Sequence, residues 1–185
     1  MHGTRAYTSS MESIVLGGGC FWCVEASFNL IKGVESAISG YAGGSEKDAD
    51  YYKVGSGDSG HAEVVKVTYD PSILTLKDVF DIFFTIHNPT TLDRQGNDVG
   101  SQYRSAIFYA DDGQKRAAEE AVADVQSLWD DPVVTEIVPL EAFYEAEDYH
   151  QNYFATNPEQ GYCQIIINPK LQKLRQKFAE RIKAD

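Results

Sequence analysis

An α+β fold, a two-layer sandwich with a mixed β-sheet and flanking helices, is what this sequence predicts. Three features predict it. Stretches of strand character are interspersed with helical ones along the whole chain. Residues 63–69 (EVVKVTY) alternate as a half-buried strand does. After Cys20, the apolar residues Phe21, Val24, Phe28 and Ile31 recur at three- and four-residue steps, which is helical spacing.

Taken in order, residues 13–16 (SIVL) read as the first strand, broken by Gly17-Gly18-Gly19, and the first helix starts at Cys20. A second strand is expected over residues 34–39, ended by the turn-rich stretch 40–45. Residues 45–61 form a long irregular segment holding Tyr51 and Tyr52; a loop of that length in a compact domain is more often functional than idle. After the strand 63–69, Asp70-Pro71 turns the chain into a helix over 76–87. Residues 88–102 make a second polar, glycine-bearing loop. A strand follows over 105–109, then a helix over 112–129 capped by Asp111 or Asp112. Residues 133–138 read as a strand, 145–154 as a short acidic-aromatic helix and 165–167 as a last strand. Pro169 opens a C-terminal amphipathic helix, at the first helical position that suits it. No linker divides the chain. Residues 12–185 are expected to form a single domain behind a loose leader, residues 1–11, which lacks the apolar stretch of a secretory signal.

The 185 residues, 43% hydrophobic and 24% charged, fit one globular domain. Acids outnumber bases 28 to 16, a net charge of −12. That argues against nucleic acid as a partner, because neutralising phosphates needs Lys and Arg, and against an anionic membrane surface. No apolar run approaches the roughly 20 residues that span a bilayer. Three cysteines do not make a disulfide scaffold; the odd count points to redox or nucleophilic use and to the cytoplasm as the compartment.

The segment that carries chemistry is GGGCFWCVE, residues 17–25. Cys20 stands where a helix begins, and free amides and the helix dipole there are expected to lower its pKa. Phe21 and Trp22 are consecutive, so they cannot share one helix face, and one of them can wall a site for a methyl or thioether group. Cys20 and Cys23 form a C-x-x-C pair, found in dithiol oxidoreductases and as half of a zinc site. Zinc needs two further ligands, and the four histidines are scattered, so no metal is expected. Glu63 reads either as a solvated edge residue or as a buried acid that donates a proton at neutral pH. The loop QGNDVGSQYR presents Asp98 and Tyr103, and a tyrosine hydroxyl there is a fixed hydrogen-bond donor.

These motifs, GCFWCVE, GYAGG, YYKVGSGDSGHAEVV, QGNDVGSQYRSAIFY and FYEAEDYHQNYF followed by NPEQGYC, resemble the A-type peptide methionine sulfoxide reductases, in that family's order, from about Ile14 to Cys163. The resemblance implies a ferredoxin-like core and reduction of methionine-S-sulfoxide, free or in oxidised proteins, as a repair activity. It implies Cys20 as nucleophile, Phe21 and Trp22 as the S-methyl pocket, and Glu63 as the acid that protonates the sulfoxide oxygen. Tyr51 and Tyr103 match tyrosines that bond that oxygen, and Asp98 an acid that helps bind the substrate backbone. No bound cofactor is implied; thioredoxin, or dithiothreitol in vitro, is the reductant. Many relatives carry Gly at the position of Cys23 and end in a glycine-rich tail bearing the resolving cysteine. Here Gly161-Tyr162-Cys163 runs on into QIIINPKLQKLRQKF. The resemblance favours Cys163 as the resolving thiol, and the C-x-x-C spacing keeps Cys23 open. A binding module without turnover and a dithiol oxidoreductase acting on protein disulfides are the alternatives from other classes.

Overall fold

A computed structural model describes residues 10–184. For positions 1–9, the expected leader (residues 1–11) lies outside the described residues. The strands are β1 (Glu12–Gly18), β2 (Val34–Ala42), β3 (Ala62–Tyr69), β4 (Arg94–Gln95), β5 (Asp98–Val99), β6 (Ser105–Tyr109), β7 (Glu136–Pro139) and β8 (Tyr144–Glu145). β4 and β5 pair as a separate hairpin; the others form one sheet in the order β7-β6-β1-β3-β2-β8. Among the described residues only β6 and β7 pair in parallel; the remaining neighbours are antiparallel. Helix α1 (Phe21–Asn29) joins β1 to β2, and α3 (Leu76–Ile86) joins β3 towards β6. The unit β1-α1-β2-β3-α3-β6, with its strands ordered β6-β1-β3-β2, is the ferredoxin-like core the resemblance implied.

Strand alternation sets the two faces of the sheet. Ile14, Leu16, Val65, Val67 and Ile107 point into the main core, against Phe21, Val24 and Phe28 of α1 and Phe80 and Phe83 of α3. Ala118 of α4 (Asp112–Gln126) and Leu174 of α6 (Asn168–Lys177) join the same core. Burying each large side chain of this kind contributes about 1.5–3 kcal/mol. On the opposite face, Val15, Val64, Ala106 and Phe108 are covered by Val138, Leu140 and Phe143, on the stretch leading from β7 towards β8. Helix ends are set locally: Thr75 and Asp78 form a reciprocal capping box for α3, and Asp111 caps α4 by accepting from Gln114 N–H at 2.8 Å.

Several elements depart from expectation. The glycine run does not break β1, because Gly17 and Gly18 stay in register with Ala106 and Ser105. β2 continues through Gly40 to Ala42, since Tyr41 and Ala42 still pair with Glu63 and Ala62. The segment 45–61 holds α2 (Tyr51–Gly55), capped by Asp50 accepting from Lys53 N–H at 3.0 Å. Residues 145–154 are not one helix. Gln151 bonds both Ser39 N–H and Ser39 C=O, at 3.1 and 2.9 Å, and Asn152 turns left-handed at φ 53° before α5 (Tyr153–Thr156). The expected strand 165–167 is instead part of a π-helical turn, Cys163–Ile167, that runs straight into α6. There Cys163, Ile167 and Leu171 bury one helical stripe, while Ile165 stays 73% exposed.

Candidate active site

The turn from β1 into α1 presents Cys20. Gly19 takes φ +91°, and a Cβ there would come within 2.6 Å of Gln95 Cγ, so only glycine fits. Gln95 is itself fixed, accepting from Asn88 N–H at 3.0 Å and donating to Asn88 C=O at 2.9 Å. Cys20 is the N-cap residue of α1, so the Phe21 and Trp22 amides have no partner along the helix and turn to side chains. Phe21 N–H donates to Glu63 Oε2 at 3.1 Å, and Trp22 N–H reaches the Cys20 sulfur.

Glu63 lies on the face of β3 that also carries Val65 and Val67, and is 3% exposed. Burial pushes its carboxyl up to about 8, against the pull of the Phe21 amide, so it is protonated at neutral pH. Of the two readings of Glu63, the structure has the buried acid.

A cavity of ≈ 180 Å³ is lined by Cys20, Phe21, Trp22, Tyr51, Glu63, Asp98, Tyr103 and Tyr162. Seven of these eight are residues singled out in the sequence; Tyr162 is the addition. Tyr51 opens α2 and Tyr103 ends a 3₁₀ turn, Ser101–Tyr103. Their two loops are stitched together: Ser101 Oγ donates to Gly57 C=O at 2.6 Å, and Arg104 Nη2 donates to Gly60 C=O at 3.0 Å. Burial first, and then the charge of Glu63, push both phenols up, so they keep their protons as donors.

The two consecutive aromatics part as expected: Phe21 is buried and Trp22 is only half-buried, and both line the cavity. The Trp22 indole N–H donates to His150 Nδ1 at 3.0 Å, and its ring stacks on Tyr153 at 3.7 Å and 5°. Burial holds His150 below the usual histidine value, which matches a neutral ring accepting at Nδ1. His150, Tyr153 and Tyr162 are the site residues sequence reasoning missed. The first two shape the cavity without lining it: both hold Trp22, and the His150 ring also packs on Tyr51 at 4.4 Å and on Phe21 at 5.0 Å.

Cys23 and Cys163 stand behind the cavity, with Cys20, in one apolar cluster with Ala26, Ile167 and Leu171. The Cys20 and Cys23 sulfurs are close enough to shift one another's ionisation. Here the expected low pKa of Cys20 is corrected. Burial, the neighbouring Cys23 sulfur and the charge of Glu63 raise Cys20 well above the ordinary thiol value, and the Trp22 amide does not offset them. Cys23 is the sulfur brought down, to about 7, first by the neighbouring Cys20 and then against burial by the charge of Lys170. Tyr162 O–H donates to Asp98 Oδ2 at 2.7 Å, and its oxygen lies 3.9 Å from Cys23 Sγ. A thiol, a protonated carboxyl and two phenols thus meet beside an aromatic wall, a set suited to a polar oxygen bonded next to an apolar group.

Known proteins resemble this chain in sequence and fold. The profile of the family described as Peptide methionine sulfoxide reductase matches residues 12–182. Peptide methionine sulfoxide reductase MsrA of Chromobacterium violaceum is 52% identical over 171 residues, covering 91% of this chain and 97% of that protein. The reduced form of Mxr1 from Saccharomyces cerevisiae superposes with a TM-score of 0.79, at 36% identity, over 84% of this chain and 91% of that one. Mxr1 in complex with Trx2 superposes with a TM-score of 0.56, at 26% identity, over 81% of this chain and 89% of that one. With a family profile spanning nearly its whole length and relatives this close, the chain belongs to the peptide methionine sulfoxide reductase family.

Proposed function

We propose that residues 12–185 act as one catalytic domain that reduces methionine-S-sulfoxide, free or in oxidised proteins, to methionine. One observation carries this reading: the Cys20 thiol, the Glu63 carboxyl and the Tyr51 and Tyr103 hydroxyls line a single cavity walled by Phe21 and Trp22. A sulfoxide sulfur is a poor electrophile until its oxygen is protonated. Glu63, neutral up to about pH 8, supplies that proton. Tyr51 and Tyr103 donate to the same oxygen, each contributing on the order of 3 kcal/mol. The S-methyl group rests on Phe21 and Trp22, and Asp98 helps bind the substrate backbone.

Cys20 becomes a thiolate by passing its proton to the neighbouring Cys23 sulfur, the more acidic of the two. The charge of an ionised Glu63 would oppose this, so a thiolate at Cys20 goes with a neutral Glu63, the productive pairing. The thiolate attacks the sulfoxide sulfur, the oxygen passes to Cys20 with the proton from Glu63, and methionine leaves a sulfenic acid behind.

A second thiol then condenses with the sulfenic acid to a disulfide and water. The place of Cys23 one helical turn from Cys20, in the same apolar cluster, and its low pKa of about 7 support it in that role. Cys163, fully buried in the same apolar cluster, is the second reading, favoured by the family resemblance. An external dithiol, thioredoxin or dithiothreitol in vitro, reduces the disulfide; the complex of Mxr1 with Trx2 supports a thioredoxin. Three free thiols suit a reducing compartment, and the cytoplasm is the one we assign.

The test is turnover of a methionine sulfoxide peptide, each epimer separately, with dithiothreitol. The expected result is methionine from the S epimer alone, and none from Cys20→Ser. Binding without turnover, or reduction of insulin disulfides in place of sulfoxide, would overturn the reading.

A further inference from the structure

The resolving step needs a route for one proton. Cys23 receives the Cys20 proton when the thiolate forms, and must lose it before it can attack the sulfenic acid. Tyr162 touches both ends of such a route. Its O–H donates to Asp98 Oδ2 at 2.7 Å, and its oxygen lies 3.9 Å from Cys23 Sγ. With its only hydrogen given to Asp98, the phenol oxygen meets the Cys23 thiol as an acceptor. The side chain is fixed for this contact: its ring stands edge-on to Trp22 at 5.9 Å and 79°, and its backbone N–H donates to Gln160 Oε1 at 2.8 Å.

We propose that Tyr162 relays the Cys23 thiol proton to Asp98 during disulfide formation. The inference rests on the reading of Cys23 as the resolving thiol. In the step, the Cys23 S–H bond breaks and its proton passes to the Tyr162 oxygen as the phenol proton passes to Asp98. The Cys23 electron pair forms the S–S bond with Cys20, and the Cys20 S–O bond breaks. Asp98 lines the same cavity as Cys20, so it returns the proton to the departing hydroxide, which leaves as water. The sulfenic acid is the oxidant, and protons balance without an outside donor. Burial keeps the phenol itself protonated, which suits a relay and not a resident base. The Lys170 charge near Cys23 favours the thiolate that results.

The experiment gives wild type and Tyr162→Phe one equivalent of S-sulfoxide peptide without reductant. Sulfenic acid is trapped with dimedone and disulfides are mapped by mass spectrometry over time. The quantity read is the first-order decay of sulfenic acid already formed, so slower formation does not enter it. Tyr162→Phe is expected to slow that decay about 100-fold, as loss of a proton-transfer group does. On a Cys23→Ser background the same substitution is expected to leave the decay unchanged. Wild-type decay in Tyr162→Phe, equal slowing on the Cys23→Ser background, or a first disulfide between Cys20 and Cys163 would each overturn the relay. Absence of methionine release from the wild type would overturn the proposed function as well, and is separately visible.

Discussion

Trp22 shows how one side chain can hold a site in shape. Its indole is gripped at two points, by the His150 acceptor at 3.0 Å and by the Tyr153 ring stacked at 3.7 Å. Neither partner lines the cavity, so losing one should act chiefly by loosening the methyl wall, although the His150 ring also packs on Tyr51 at 4.4 Å. His150→Ala is expected to raise KM for a sulfoxide peptide by about tenfold, the worth of one buried hydrogen bond, with a smaller change in kcat. Steady-state kinetics decide it, and a loss confined to kcat would refute the positioning role. His150, Tyr153 and Tyr162 escaped sequence reasoning because they lie more than 120 residues from Trp22, and only the fold brings them to it. Glu63 was more legible. Alternation along β3 puts it in phase with Val65 and Val67, the face that proves to be the main core. At the start of the strand that phase left a solvated edge residue equally open, and the depth that pushes its carboxyl up to about 8 depends on α1 packing over it.

At the level of elements, the β1–α1 turn is the most constrained. Gly19→Ala would place a methyl against Gln95 and force a β-carbon into φ +91°. Its cost should be about 1–3 kcal/mol, read as a lowered denaturant midpoint, with a loss of kcat/KM because Cys20 follows directly. An unchanged midpoint would show that the turn relaxes freely. β3 and α1, whose periods are clear, were read close to their bounds, as were β6 and α3, and the cap of α4 is Asp111, one of the two candidates. Residues 145–154 and 165–167 were misread. Three isoleucines in a row at 165–167 look like strand, since a short apolar run carries no period of its own. The helical signal lay in the wider spacing of Cys163, Ile167, Leu171 and Leu174, all buried. Residues 145–154 failed for a different reason, because tertiary bonds from Gln151 to Ser39 override the local pattern.

For the whole molecule, burying acids to make a proton donor has a thermodynamic signature. Glu63 is raised to about 8 and Glu25 to about 7, both by burial. Above the ordinary carboxyl value these two folded acids hold protons that the unfolded chain has lost, so their share of stability falls as pH rises towards 8, while Cys23, brought down to about 7, opposes them above pH 7. His87 acts with the opposite sign. Burial lowers it to about 4, so stability is lost as pH falls from the ordinary histidine value towards 4. Thermal or denaturant unfolding should show higher stability at pH 6.5 than at pH 8.5. Glu63→Gln should flatten that slope and stabilise the protein at pH 7 by on the order of 3 kcal/mol, while impairing sulfoxide reduction. An unchanged slope in Glu63→Gln would contradict a buried, neutral carboxyl at this position.

The central claim is that the Glu63 proton drives attack by Cys20 on the sulfoxide, and single-turnover methionine release as a function of pH tests it most directly. The wild-type rate should fall as pH rises past about 8, where Glu63 ionises. Glu63→Gln should be slower at pH 7 by about 100-fold or more, with that fall abolished. A Glu63→Gln protein that releases methionine at the wild-type rate, with the same loss at high pH, would contradict the account.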